Sequence, residues 1–363
     1  MTGVGAGGPR IATFVSPHGF GHAARSSAVM AEANRRGGAT FEVFTTAPRW
    51  FFDESIPGLF RQHREVVDVG FRQRSALRSD PAATAEALRS LVPFDERRVE
   101  ALAAAVRAAG CSAVLCDIAP LGVAVAEAAG VPSLLLESFS WGWLYEPLAP
   151  EVPELGTAGA YLDACARRAD VHVQARPLCV RDPAAEIVDP IGRRPRLDRA
   201  NARRAFGLDQ TDIVVVVTMG GYGEDLGFLD RLRAMETVRF VVTGAVACEE
   251  RDNLLLFDND SPLYMPDLLS AADGVVAKLG YGTVAEVWSE GLPFAYVTRP
   301  DFREMPPLEA FAAAELSGFR VSADEYARGV WIDRIPELLA MPRRPHAGGG
   351  ATRVADLLLD LAG

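Results

Sequence analysis

The sequence predicts an α/β protein made of two doubly wound, Rossmann-like domains with parallel sheets. Three observations carry that expectation. The chain has 363 residues, more than one hydrophobic core usually organises, and at about 150 residues per domain it divides into roughly two. Short apolar runs alternate with longer stretches of helical periodicity, the pattern of parallel strands covered by helices. In each half the first apolar run leads straight into a glycine-rich turn, at residues 17–21 and 218–223.

Taken in order, residues 11–16 (IATFVS) read as a buried strand, 17–21 as the turn and 22–36 as a helix. Residues 41–45 form a second strand, 82–109 one long helical stretch, and 113–116, 131–137 and 171–174 three further strands. Residues 189–198 (DPIGRRPRLD) lose apolar periodicity and concentrate Pro, Gly and Arg, which marks a linker. The alternation then resumes, with strands at 213–218, 240–243, 254–257, 274–277 and 294–298 and helices after Gly223, Met265, Gly282 and Pro306. A last helical stretch, 351–361, is expected to cross back onto the first domain. The expected domains are therefore 1–190 and 191–345, with a C-terminal helix in 346–363.

Composition excludes several classes. Apolar residues at 49% and charged residues at 23% are ordinary globular values, so neither a disordered nor a collagen-like chain is expected. The 37 basic and 48 acidic residues give a net charge of −11, which argues against nucleic acid as a partner. A small anionic ligand still fits if cations are placed locally. No run of about 18 uninterrupted apolar residues occurs, and the glycine-rich residues 1–10 lack an apolar signal region. No transmembrane segment and a cytoplasmic location are the corresponding expectations. The five cysteines form no CxxC pair, so neither a zinc site nor a disulfide framework is indicated. Among all the basic residues there is one lysine, Lys278.

The first turn, Gly19-Phe20-Gly21-His22-Ala23-Ala24, fits the dinucleotide fingerprint G-x-G-x-x-A. That reading also wants an acidic residue ending the second strand, and there the sequence has Thr45-Thr46. What sets the turn apart is two of the five histidines, His18 and His22. An imidazole at a helix start feels the positive end of the dipole, which suits a neutral base that takes a proton from a hydroxyl. A turn-capping His22 and a packed or solvated His18 are the alternatives. Asp117 directly follows a strand, at the carboxyl edge where such sheets place functional groups; it either orients a histidine or caps the helix from Pro120.

In the second half, the glycines of Thr218-Met219-Gly220-Gly221-Tyr222-Gly223 allow backbone amides to approach an anion closely, or simply make a tight turn. Lys278-Leu279-Gly280-Tyr281-Gly282-Thr283-Val284-Ala285-Glu286 brings the lysine, a helix N-terminus and a hydroxyl together. Those groups suit a diphosphate, and Glu286 one turn on suits two ribose hydroxyls. Asp258-Asn259-Asp260 reads as a solvated turn, so no metal is expected. Phe139-Ser140-Trp141-Gly142-Trp143-Leu144-Tyr145 is dense in aromatics and either walls an acceptor pocket or packs in the core.

These residues resemble a family, the glycosyltransferases of the GT-B fold. The run from Ala271 through Gly280-Tyr281-Gly282-Thr283-Val284-Ala285-Glu286 to Gly291-Leu292-Pro293 looks like its donor-binding signature. His18-Gly19-Phe20-Gly21-His22-Ala23-Ala24-Arg25, Phe139-Ser140-Trp141 and the Lys278 loop are similar to the N-terminal glycosyltransferase-like domain of L-arabinokinase. The resemblance implies two Rossmann-like domains across a donor–acceptor cleft and a metal-independent, cofactor-free, inverting transfer of a sugar from a nucleotide diphosphate (UDP, GDP or dTDP) to a small-molecule acceptor. It implies His22 as base, Asp117 as its partner and His18 beside them. For the donor it implies Gly220, Gly221, Met265, Lys278, Gly280, Tyr281, Gly282, Thr283 and Glu286, with Arg303 and Glu304 standing where many members carry an Asp-Gln pair. Phe20, Ser138, Trp141 and Trp143 are the expected acceptor contacts. The arginine-rich coding bias and the aromatic wall make natural-product glycosylation the expected setting. A non-catalytic nucleotide-sugar-binding module and a hydrolysing nucleotide-sugar epimerase are the competing readings.

Overall fold

The computed structural model describes residues 7–75, 78–220, 227–258, 261, 263–300 and 302–363. The chain divides into two units, one running through Ile191 and resuming at Gly348–Gly363, the other Gly192–Ala347. No helix among the described residues is long and apolar enough to cross a membrane.

The first unit is built on a parallel sheet. Its strands are β1 (Arg10–Val15), β2 (Thr40–Phe44), β3 (Phe60–His63), β6 (Ala113–Asp117), β7 (Ser133–Glu137), β8 (Val171–Ala175) and β9 (Glu186–Val188), in the order β3-β2-β1-β6-β7-β8-β9. A two-stranded ribbon, β4 (Gln73–Ser75) with β5 (Arg78–Ser79), stands apart from it. The run from Ile11 to Val15 is wholly buried because helices cover both faces of a parallel sheet. Strand order reverses between β1 and β6, where Val15 lies beside Asp117. Such a switch point opens a crevice at the carboxyl ends of the strands.

Helix Phe20–Gly37 buries Ala23, Ala24, Ala28, Val29, Met30 and Ala33 against this sheet, at the spacing of one helical face. It stops at Gly38, whose φ of 67° is left-handed. The C-terminal helix Gly350–Ala362 returns to the same unit and sets Val354, Ala355 and Leu358 into the same core. Arg36 to Asp356 at 2.5 Å and Thr352 to Glu32 at 3.0 Å tie the two helices together.

The single helix expected at 82–109 is two, Pro81–Arg89 and Glu96–Ala108. Pro93 lacks the amide hydrogen a continuous helix requires, and the Asp95 carboxylate caps the second helix at the Arg97 amide, 2.9 Å away.

The second unit has β10 (Val214–Thr218), β11 (Arg239–Ala245), β12 (Glu249–Arg251), β13 (Leu254–Asp258), β14 (Gly274–Lys278), β15 (Phe294–Val297) and β16 (Gly318–Val321). The order is β12-β13-β11-β10-β14-β15-β16, parallel except for β12. Val214 to Val217 are at most 1% exposed, each side chain contributing about 1.5–3 kcal/mol by its burial. The switch point here lies between β10 and β14, where Thr218 pairs with Ala277. The helix expected after Gly223 is Leu229–Arg233, and those after Met265, Gly282 and Pro306 are Met265–Ala271, Tyr281–Glu290 and Met305–Glu315.

Candidate functional site

Each switch point gathers polar groups, and the two gatherings are chemically different. In the first unit, β1 runs into a loop ended by Gly19, whose φ of 76° is open to glycine without strain. His22 is the third residue of the helix that follows, and no side chain caps that helix. The Asp117 carboxylate does not cap the helix from Pro120, whose N-cap is Ala119. It reaches instead to His22, with Oδ1 3.0 Å from Nδ1. A carboxylate only accepts, so Nδ1 carries the hydrogen and Nε2 carries the lone pair.

Asp117 is fully buried and holds three further hydrogen bonds. Arg25 donates from Nε at 3.0 Å and from Nη2 at 2.6 Å, and the Ser26 hydroxyl donates at 2.9 Å. Burial opposes the carboxylate's charge, but the Arg25 guanidinium and the His22 and Arg25 hydrogen bonds outweigh it and hold the pKa at about 2. The next residue, Ile118, has a φ of 46°, a strained conformation for a β-branched side chain. Its carbonyl accepts from Trp141 Nε1 at 2.9 Å.

Trp141 is 1% exposed and stands edge-on to His18 with ring centroids 6.0 Å apart, so it acts as a support beneath His18. Ser138 is also buried, its hydroxyl committed to the Ala175 carbonyl at 2.7 Å and to Arg25 Nη1 at 3.0 Å. Trp143 is half-buried beside them, its amide on Ser140 Oγ. Phe20, which opens the helix two residues before His22, is stacked on Phe51 and edge-on to Trp50, which is 46% exposed.

The loop before β4 closes over His18. Gly70 has a φ of 59°, and a Cβ there would sit 2.5 Å from the His18 ring. Two residues earlier is Asp68, whose carboxyl is 3% exposed. Its burial lifts its pKa to about 7, with the Ser16 hydroxyl relieving this only in part and the Asp117 charge adding to it.

In the second unit, Gly220 (φ 70°) follows β10, and a Cβ on it would lie 3.0 Å from Lys278 Cε and 3.3 Å from Nζ. The lysine at the end of β14 therefore reaches the turn after β10. Helix Tyr281–Glu290 opens immediately beyond, with Gly280 as N-cap, no side-chain cap and no acidic residue in its first turn. The amides of Tyr281, Gly282 and Thr283 thus follow closely on the strand end that carries Lys278, a combination suited to a phosphate group. Glu304, the N-cap residue of the helix Met305–Glu315, joins this group. Burial raises its pKa while the charges of Arg299 and Lys278 oppose that rise. Arg303 is half-buried beside it.

Glu286 is not solvated. Its Oε1 accepts from Arg193 Nε at 2.9 Å, with both side chains under a tenth exposed. Arg193 and Arg196 lie over the Tyr264 ring, at 5.2 and 3.8 Å from its centroid, next to Met265.

His18, His22, Asp117, Ser138 and Trp141 thus assemble in the first unit, and Gly220, Lys278, Gly280, Tyr281, Gly282, Thr283 and Glu304 in the second. Gly221 lies outside the described residues, as do Asn259 and Asp260; the Asp258 carboxylate accepts from Ser261 at 2.7 Å. Three residues escaped the sequence reading. Arg25 was visible only as the end of the first turn's run, with no role assigned to it, Arg193 only as part of a linker, and nothing local marks Asp68.

No family model matches the chain. L-arabinokinase from Arabidopsis thaliana is 25% identical over 355 residues, which are 93% of this chain and 33% of the kinase. The chain therefore spans about a third of that relative's length. Among solved structures, a UDP-glucosyltransferase from Polygonum tinctorium capable of glucosylating indoxyl matches with a TM-score of 0.61 at 15% identity, covering 98% of each chain. The glycotransferase of kitacinnamycin gives 0.61 at 19% identity over 97% of this chain and 99% of its own. The glycosyltransferase SnogD from Streptomyces nogalater gives 0.58 at 18% identity over 98% and 100%.

Proposed function

We propose that this chain, which has the GT-B fold, is a glycosyltransferase that moves a sugar from a nucleoside diphosphate to an acceptor hydroxyl with inversion. The observation that carries the reading is the Asp117–His22 pair at the β1/β6 switch point. With Nδ1 tied to Asp117, His22 Nε2 takes the acceptor's hydroxyl proton. The acceptor oxygen then bonds to the anomeric carbon from the face opposite the diphosphate, the bond from that carbon to the phosphate oxygen breaks, and its electron pair leaves with the diphosphate. Lys278 and the amides of Tyr281, Gly282 and Thr283 stabilise the departing charge.

The donor reading follows the fold and the phosphate-suited helix start beyond Lys278; UDP, GDP and dTDP all meet its requirements. Natural-product acceptors fit the aromatic surroundings of His18 and belong to this proposal, as does a cytoplasmic setting. The L-arabinokinase relation favours a second reading, a module that binds a nucleotide sugar without transferring it.

Incubation with UDP-, GDP- and dTDP-sugars and an acceptor panel separates the two. Transfer with inverted anomeric configuration, falling by about a hundredfold or more in His22→Ala, supports the enzyme. Saturable donor binding without any product supports the module. Release of free epimerised sugar would replace both with the hydrolysing epimerase.

A further inference from the structure

The carboxylate that the donor reading assigns to the ribose is already half engaged. Arg193 Nε lies 2.9 Å from Glu286 Oε1, and the pair is buried. The arginine does not dangle from a loose linker. Gly192, just before it, passes so close to the helix Tyr281–Glu290 that a Cβ would meet the Ala285 carbonyl carbon and the Glu286 nitrogen at 3.0 Å. Just after it, the Arg194 carbonyl accepts from Tyr264 OH at 3.0 Å. The amides of Arg196 and Leu197 then donate to Asp267 Oδ1 at 2.6 and 3.0 Å, on a carboxylate that is 4% exposed. Residues 192–197 form a strap stitched to this unit on both sides of Arg193.

A carboxylate grips a ribose diol strongly when each hydroxyl has its own charged oxygen. Here Oε1 already accepts from a buried guanidinium that neutralises much of the carboxylate's charge, so the acceptor offered to a ribose hydroxyl is weaker than a free carboxylate. We propose that Arg193 relaxes the 2′-hydroxyl requirement of the donor, so that the site takes ribonucleoside and 2′-deoxyribonucleoside diphosphates alike. This rests on the donor reading given above, and the two fail in different ways.

The test is calorimetric titration of the full chain with UDP and GDP, each against its 2′-deoxy analogue. The expected affinity ratio is within about threefold for the base that binds, because a hydrogen bond to a shared, neutralised acceptor contributes little. Arg193→Met frees Glu286 and is expected to raise the ratio to about tenfold or more, the range for a hydrogen bond to a free charge. Glu286→Gln removes the charged acceptor while its amide oxygen can still accept from Arg193, and it is expected to keep the ratio near that of the unaltered chain, whose own ratio decides the proposal even if the Arg193 variant does not fold. A ratio of about tenfold or more in the unaltered chain, collapsing in Glu286→Gln, overturns the inference and leaves the donor site standing. If no nucleoside diphosphate binds, the donor reading falls and takes this inference with it.

Discussion

Replacing Asp68 with asparagine isolates one buried proton. The carboxyl is 3% exposed, and its pKa is raised from 3.8 to about 7, chiefly by burial. The folded value lies above the unfolded one, so the fold binds this proton more tightly than the unfolded chain does. The stability tied to it is complete below about pH 3.8 and is lost as pH rises through about 7. At about 1.4 kcal/mol per pH unit the whole change is roughly 4 kcal/mol, of which roughly 2.5 kcal/mol falls between pH 5 and pH 8. Asparagine has nearly the shape of the protonated acid and does not titrate. Urea unfolding of both proteins across that range, followed by fluorescence and circular dichroism, gives the difference free of every other titrating group. The variant is expected to be the relatively more stable protein at pH 8 and to lose that margin toward pH 5. Parallel stability curves would show that Asp68 is solvated or paired, and would refute the reasoning.

Two further substitutions probe the same neighbourhood. Arg25→Met leaves Asp117 buried without its main counter-charge; a loss of about 3–5 kcal/mol in denaturant unfolding is expected, and a loss below about 1 kcal/mol would mean that His22 and Ser26 alone satisfy the carboxylate. Gly70→Ala forces a Cβ to 2.5 Å from the His18 ring at a φ of 59°; it is expected to cost about 1–3 kcal/mol and to shift the His18 imidazole resonances, whereas unchanged resonances would mean that the loop yields instead.

The central strands and the helices after both glycine turns were legible in the sequence, because a strand covered on both faces must be apolar throughout, as Val214–Val217 is. Besides the short ribbon β4–β5, the strands that the sequence did not reveal, β3, β9, β12 and β16, are the four edges of the two large sheets. An edge strand pairs on one side and meets water on the other, so Phe60–His63 (FRQH) and Glu249–Arg251 (EER) carry no apolar run to read. The same limit applied to the candidate site. His22, Asp117, Lys278 and Glu286 stood out because rare or chemically apt residues ended strands or opened helices. Their partners did not, because Arg25 and Arg193 draw their roles from burial against a carboxylate distant in sequence. Asp117 and Glu286 each have a buried arginine partner, and no local pattern announces such a pairing.

The account depends above all on a diphosphate being held by Lys278 and the uncapped helix at Tyr281. Calorimetric titration of UDP, GDP and dTDP into the unaltered chain and into Lys278→Met tests this directly. The account predicts that at least one of the three binds with saturation and that the lysine variant loses about tenfold or more of that affinity, the loss expected for a hydrogen bond to a charged group. Equal affinity in the two proteins, or no binding of any of the three, would contradict it.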